Sequence, residues 1–397
     1  MSRQPVVVRF SRLLFLLLTP LAIASSAAAN DGDVTTLQVG KTIERQLSGA
    51  QVHTYELDLP LNEYAEIVID QRSVDVSISA YDPKGQKLYY TDNLQVPDQE
   101  TVTLLGVVPG KYRLELRSLF AKTPEGTYLI RIKALRTATE QDKNAVTAGK
   151  LIADGLEFER QAKAESLRKA IEKYQAAVPL WHATGYKNWE ANTLYLIAND
   201  YIFLGEQQKA FEFAGEAIPL AHAGVMEAAA EDRPKAIKVE AWSLNIMGRI
   251  HNEFGDKKKA LEFFNRALSL QKSINDRSGQ LFTLSIMATA YQYMGDMQRA
   301  LALYDESLVI AKELNDHARE GTILNNVCAV YDSVGNYQQA LDHCNRALTF
   351  RRDAGDQLGK AVSLNNLANV YASLGDFQQA LDIYRQSQQA YKALDNR

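Results

Sequence analysis

The sequence predicts a chain of two textures: an antiparallel β-sandwich followed by an α-helical solenoid of stacked hairpins. Three observations predict it. Apolar and polar residues alternate through residues 34–136, the period-two pattern of half-buried antiparallel strands. An alanine then recurs every 40 residues, at Ala260, Ala300, Ala340 and Ala380. All ten prolines lie at or before Pro234, so the remainder carries no helix breaker. With 397 residues there is room for about two or three domains.

The first 29 residues are read apart from the fold. Arg3, Arg9 and Arg12 precede an apolar run from Leu13 to Ala24, and Ala27, Ala28 and Ala29 stand before Asn30. That is the layout of a secretory signal peptide. The competing reading, a membrane anchor, meets a short run interrupted by Pro20. Cleavage takes the formal charge from −4 to −7 and places the protein in the periplasm or outside the cell, with no stable membrane insertion. The negative balance gives no electrostatic reason to seek nucleic acid. Apolar content of 46% and charged content of 23% are ordinary for a globular chain.

Residues 30–137 form the expected sandwich. In HTYELDL, His53, Tyr55, Leu57 and Leu59 share one face; in VDVSISA, Val74, Val76, Ile78 and Ala80 do. Tyr112, Leu114 and Leu116 follow the same rule, as do Tyr128, Ile130 and Ile132. Turns are marked by Asp82 to Gly85, Pro109–Gly110 and Pro124 to Gly126. Seven to nine strands follow from this spacing.

The helical part is periodic. Gly205, Gly255, Gly295, Gly335 and Gly375 each stand five residues before an alanine of the series, which begins at Ala210. Four residues before each glycine stands Tyr201, His251, Tyr291, Tyr331 or Tyr371. Each repeat therefore reads as two antiparallel helices. Leu364, Leu367, Ala368 and Tyr371 make one face of a first helix, Gly375 ends it, and Ala380 and Tyr384 face it from the second. One such pair cannot bury its own apolar face, so the repeats must stack. Residues 187–397 carry this pattern clearly. Residues 138–186 read as a degenerate first hairpin, with KAIEKYQAA at Lys169 to Ala177 as its second helix and no Leu-small-Tyr spacing in its first. Ten extra residues between Ala221 and Pro234 extend a helix or form a loop.

At these residues the chain resembles the tetratricopeptide repeat. The 40-residue period and the loops Asn275–Asp276, Asn315–Asp316 and Gly355–Asp356 are similar to the longer variant of kinesin light chains. The resemblance implies a right-handed solenoid that binds peptides in its concave groove. VDVSISAYDPKG, VVPGKYRLEL and EGTYLIRI resemble the pre-peptidase C-terminal type of bacterial β-sandwich, a family without catalytic residues of its own. The whole order, leader, sandwich and long repeats, is similar to the non-catalytic half of bacterial proteins that continue into a caspase-like CHAT peptidase domain.

First helices of such repeats line the inner groove. The residue after the buried leucine and the one five later then point into it: Tyr195 and Asn199, Asn245 and Arg249, Ser285 and Thr289, Asn325 and Ala329, Asn365 and Asn369. Asparagine carries a donor and an acceptor, so a row of them can pair with the backbone of an extended peptide whatever its sequence; Arg249 can add a carboxylate contact. Alternatively these amides are solvated, or bond to a neighbouring helix. Cys328 takes the small position of one hairpin and Cys344 the aromatic one facing it. Two buried thiols or one disulfide both satisfy that placement.

Catalytic patterns are missing from the sequence. None of the six histidines forms HExxH or another metal-ligand spacing, and His251 sits in a core position of its repeat. No P-loop, G-x-G-x-x-G or G-x-S-x-G occurs. The expectation is a non-enzymatic exported scaffold, without cofactor or metal, whose partner is a protein or peptide. Its oligomeric state is left open by the sequence. The resemblance implies a second function, the substrate-recruiting front part of a secreted cysteine peptidase system. Its catalytic residues would then lie beyond Arg397, since Cys328 and Cys344 hold structural positions. The tail ALDNR matches earlier inter-repeat loops, while Gln388 and Ala390 replace the apolar pairs of earlier repeats. A natural short form and a fragment are both consistent with that ending.

Overall fold

The computed structural model describes residues 34–49, 51–91, 99–118, 125–161 and 163–395. The expected leader, residues 1–29, lies outside them. The chain divides into two compact units, Met1–Glu206 and Gln207–Arg397.

The first unit opens with strands β1 (Thr35–Thr36), β2 (Thr42–Leu47), β3 (Val52–Leu59), β4 (Glu63–Gln71) and β5 (Val76–Tyr81). Strands β6 (Lys87–Thr91), β7 (Gln99–Leu105), β8 (Gly110–Ser118) and β9 (Gly126–Thr137) follow. They make a five-stranded sheet in the order β1-β3-β8-β5-β6 and a four-stranded sheet in the order β2-β9-β4-β7. Pairing is antiparallel except between β1 and β3 and at the bridge Val39–Ile132. One apolar core receives Tyr55, Ile78 and Leu114 from the first sheet and Ile67, Leu104 and Ile130 from the second. Period-two alternation is the cause: each strand buries every other side chain. Three of the four faces read from sequence are fully inside; His53 on β3 is half-buried, while Tyr55, Leu57 and Leu59 are buried. The buried phenols satisfy one another, Tyr55 to Tyr128 at 2.5 Å and Tyr128 to His53 Nδ1 at 2.7 Å.

Helices α1 (Glu140–Glu159), α2 (Ala164–Thr184) and α3 (Lys187–Leu204) complete this unit. Thr139 and Asp142 form a reciprocal capping box at the start of α1. Arg136 of β9 grips the same carboxylate with two bonds, of 2.5 and 2.8 Å. That pair, with the capping bonds from Thr139, holds the Asp142 carboxyl down at about 2.

The hairpin α1–α2 corrects the sequence reading. Leu151, Gly155 and Phe158 do carry the leucine-small-aromatic spacing, with glycine as the small residue and phenylalanine in place of tyrosine. A Cβ on Gly155 would lie 2.2 Å from Tyr174 Cε1, so the ring of α2 passes against bare α1 backbone. The two helices, of 20 and 21 residues against 17 in α6 to α10, and the turn between them are longer than in those repeats.

The second unit holds α4 (Gln207–Glu227), α5 (Arg233–Glu253), α6 (Lys257–Ser273), α7 (Arg277–Tyr293) and α8 (Met297–Glu313). It ends with α9 (His317–Ser333), α10 (Tyr337–Asp353), α11 (Gln357–Leu374) and α12 (Phe377–Asp395). The ten inserted residues are divided between extensions of α4 and α5, 21 residues each against 17 in α6 and α7, and the turn before Arg233. Helices pair as α5–α6, α7–α8, α9–α10 and α11–α12. From α5 onward each turn uses one device. A residue with positive φ ends a helix, glycine inside the hairpins and Asn275, Asn315 or Gly355 between them. The next residue caps the following helix: Asp276 accepts from the Gly279 N–H at 2.9 Å and Asp356 from the Gly359 N–H at 2.8 Å.

Inside each hairpin a small residue admits a large one. A Cβ on Gly248 would meet Phe264 Cε1 at 2.4 Å. The equivalent pairs are Ala288 with Tyr304, Ala368 with Tyr384, and Cys328 with Cys344, which are joined as a disulfide. The choice the sequence left open is thereby made.

Candidate functional site

The inner surface of the second unit is assigned by which helices touch across repeats. First helices contact one another in succession, α5 with α7, α7 with α9, and α9 with α11, in addition to the contacts within hairpins. Second helices of successive hairpins have no comparable contact among the described elements. The first-helix layer is therefore the tighter one, and a stack so built curves toward it.

Two asparagines of the sequence-derived row are not on that surface. Asn245 is 1% exposed, and its Nδ2 donates to Thr283 Oγ1 on α7 at 2.8 Å. Thr283 in turn donates to Gln271 Oε1 at 2.8 Å, giving a polar chain between repeats. Asn325 is 6% exposed, and its backbone carbonyl accepts from Asn366 Nδ2 at 3.5 Å. In these two repeats the residue after the leucine is covered by the neighbouring first helix. Single-repeat periodicity does not contain that neighbour.

The other positions remain open in different degrees. Ser285 and Thr289 on α7 are half-buried, and both hydroxyls bond back to their own helix, Ser285 to the Leu281 carbonyl at 2.8 Å and Thr289 to the Ser285 carbonyl at 3.0 Å. Thr289 also meets the Tyr304 hydroxyl at 2.9 Å. On α11, Asn365 is half-buried and Asn369 exposed, with Asn369 Oδ1 accepting from the Tyr384 hydroxyl. Arg249 on α5 is half-buried and engaged within the fold. Tyr195 and Asn199 lie on α3 in the first unit, half-buried and likewise engaged.

Sequence reasoning passed over the residue one further along. Asn326 and Asn366 follow the covered asparagines and are half-buried on the first helices α9 and α11. The signal was present in the doubled Asn of TILNNV and SLNNLA, with only the first of each pair taken. The inner face also changes along the stack. On α5 and α7 it carries Trp242 and Phe282, whose rings lie 5.2 Å apart, with Ile286; on α9 and α11 it carries amides.

Tyrosine hydroxyls were missed as well. Because the small residue lets the ring pass beneath the first helix, the hydroxyl reaches polar residues of that helix. Tyr304 reaches Thr289 and Gln292, and Tyr384 reaches Asn369. Among the described residues no group of three or more His, Cys, Asp or Glu is placed to hold a metal ion, and no helix is long and apolar enough to cross a membrane.

Residues 280–353 and 319–393 match the tetratricopeptide repeat family, and residues 243–274 match a second tetratricopeptide repeat model. All of these lie in the second unit. The search of curated proteins returns no match. Among solved structures, BtubC (BKLC) from P. vanneervenii is 21% identical, covering 60% of this chain and 93% of its own, at a TM-score of 0.47. Aspartyl phosphate phosphatase F from Bacillus subtilis is 11% identical over 63% of this chain and 72% of its own, at 0.48. A Rap protein complexed with competence and sporulation factor is 14% identical over 64% and 77%, at 0.46.

Proposed function

We propose that the second unit is an interaction scaffold, which holds an extended peptide or an extended segment of a partner protein along the inner face of α5, α7, α9 and α11. The observation that carries this reading is the run of accessible amides Asn326, Asn365, Asn366 and Asn369 on two adjacent first helices of tetratricopeptide repeats. Each can give an N–H and accept one, so together they suit the alternating donors and acceptors of a peptide backbone. Trp242, Phe282 and Ile286 at the other end suit an apolar side chain of the same occupant. Asn245 holds neighbouring repeats in register through Thr283 and contributes indirectly. On this reading the protein is not itself an enzyme.

Export belongs to the same proposal. The amino-terminal pattern supports it, and so does the Cys328–Cys344 bond, since disulfides persist in oxidising compartments. The sandwich of residues 30–137 then serves as a docking or spacer module.

The test is a peptide array probed with the full chain, followed by fluorescence anisotropy on the peptides it retains. Asn326→Ala combined with Asn366→Ala is expected to weaken binding about tenfold or more, at about 1 kcal/mol for each lost hydrogen bond, with the melting temperature nearly unchanged. Equal binding by the double variant overturns the assignment.

A further inference from the structure

Four hairpins fill one fixed pair of positions with a small residue and a ring: Gly155 with Tyr174, Gly248 with Phe264, Ala288 with Tyr304, and Ala368 with Tyr384. A ring packs alike in any redox environment. The α9–α10 hairpin fills the same pair with Cys328 and Cys344, both fully buried and joined as a disulfide. Its lock exists only in the oxidised chain.

Little stands ready to replace that lock. No ring is present at the pair, and Ala329 stands where Thr289 meets the Tyr304 hydroxyl. At the open end of the hairpin, Arg351 of α10 donates to the Thr322 hydroxyl of α9 and to Asp356 Oδ2 at 2.7 Å. Toward the Gly335 turn the hairpin relies on the disulfide and the apolar packing around it. Both cysteines share one apolar cluster with Leu364 and Leu367 of α11. Two thiols need more room than one disulfide, because unbonded sulfurs keep van der Waals separation. In a close-packed cluster that room is taken from α11 as well as from α9 and α10.

The same two first helices carry the amides of the inner face. Asn326 stands two residues before Cys328 on α9, and Asn365 and Asn366 follow Leu364 on α11. We propose that the Cys328–Cys344 bond gates the groove, so that α9 and α11 hold their amides in binding register only when the bond is formed. The gate presupposes that this face is a peptide groove, and adds a condition on when the groove is competent.

A dithiol undoes the gate by exchange. Its thiolate attacks one sulfur, the Cys328–Cys344 bond breaks, and the other sulfur leaves as a thiolate that takes up a proton. The second thiol of the reductant attacks the mixed disulfide, closes a cyclic disulfide and releases the remaining cysteine, which is protonated in turn. Two electrons pass from the dithiol to the protein. Formation is the reverse, with a disulfide oxidant receiving the pair. Because both sulfurs are buried, exchange waits on opening of the hairpin. The gate is therefore set while the chain folds: folding in an oxidising compartment yields a competent groove, and folding in a reducing one does not.

The test compares the full chain refolded with the bond closed and refolded in dithiothreitol. Hydrogen–deuterium exchange across residues 326–344, relative to α5 and α7, is expected to quicken about tenfold or more in the reduced chain. Fluorescence anisotropy with a peptide that the oxidised chain retains on the array is expected to show about tenfold weaker binding to the reduced chain. Cys328→Ala with Cys344→Tyr, which installs the ring of the neighbouring hairpins, is expected to bind alike with and without dithiothreitol. Unchanged exchange in the reduced parent, or equal binding by its two forms, overturns the gate and leaves the groove reading standing. Loss of binding by the substituted chain in dithiothreitol places the effect elsewhere and also overturns the gate. The comparison of the two parent forms needs no substitution, so it decides the matter even where the variant does not fold. Should the oxidised chain retain no peptide, the groove reading itself falls, and the gate with it.

Discussion

The hairpins α7–α8 and α9–α10 stand side by side and solve one packing problem in two ways. In the first, Ala288 admits the ring of Tyr304, whose hydroxyl continues to Thr289 and Gln292. In the second, Cys328 and Cys344 occupy the same two positions and are covalently joined, with Ala329 where Thr289 stands. The repeat frame dictates that a small group on one helix meets a group reaching from the other. It does not dictate the chemistry of the contact. One consequence is local to the inner face. The tyrosine hairpins spend a hydroxyl on their groove-side polar residue, whereas the disulfide hairpin presents Asn326 without a phenol from its own second helix.

The comparison can be broken most severely at a purely packed lock. Phe264 is 1% exposed, and Phe264→Ala is expected to cost about 3–5 kcal/mol, read as a lowered urea midpoint for the second unit. Next comes the covalent lock. Cys328→Ala with Cys344→Ala opens a loop of 16 residues and is expected to cost about 3 kcal/mol. Cys328→Ala with Cys344→Tyr, which installs the neighbouring solution, should recover much of that loss under reducing and oxidising conditions alike. A midpoint no better than that of the double alanine variant would show that the two locks are not interchangeable. The phenol alone is worth less: Tyr304→Phe is expected to cost about 1 kcal/mol by the same denaturation curve.

The smallest effect lies in the first unit, where β9 is tied to α1 by neither packing nor a covalent bond but by Arg136 and Asp142. Asp142 is lowered to about 2, first by Arg136 and then by its capping bonds. The stability it lends is present above the ordinary carboxylate range and lost as pH falls toward about 2. Arg136→Gln should move acid unfolding of the first unit to higher pH, followed by circular dichroism, with little change near neutrality. An unchanged acid midpoint would leave this tie without weight.

The strand faces and the hairpin frame were legible because both arise from short-range periodicity. Tyr112, Leu114 and Leu116 alternate inward for the same reason that Leu364, Leu367 and Ala368 share a helix face. The first hairpin was legible too, in Leu151, Gly155 and Phe158, but a search for alanine and tyrosine at those positions passes over glycine and phenylalanine. Asn245 illustrates a different limit. Its burial depends on Thr283, 38 residues away, and no count within one repeat includes that contact.

From sequence alone came the sandwich, the 40-residue helical period, and the pairing of small with large positions, including Cys328 opposite Cys344. Those features follow from which face of a strand or helix each residue occupies. Tertiary structure decided that the two thiols bond, and that Asn245 and Asn325 turn into the array while Asn326 and Asn366 stay accessible. In each case the outcome depends on the distance between side chains of different helices. Periodicity supplies directions but not those distances.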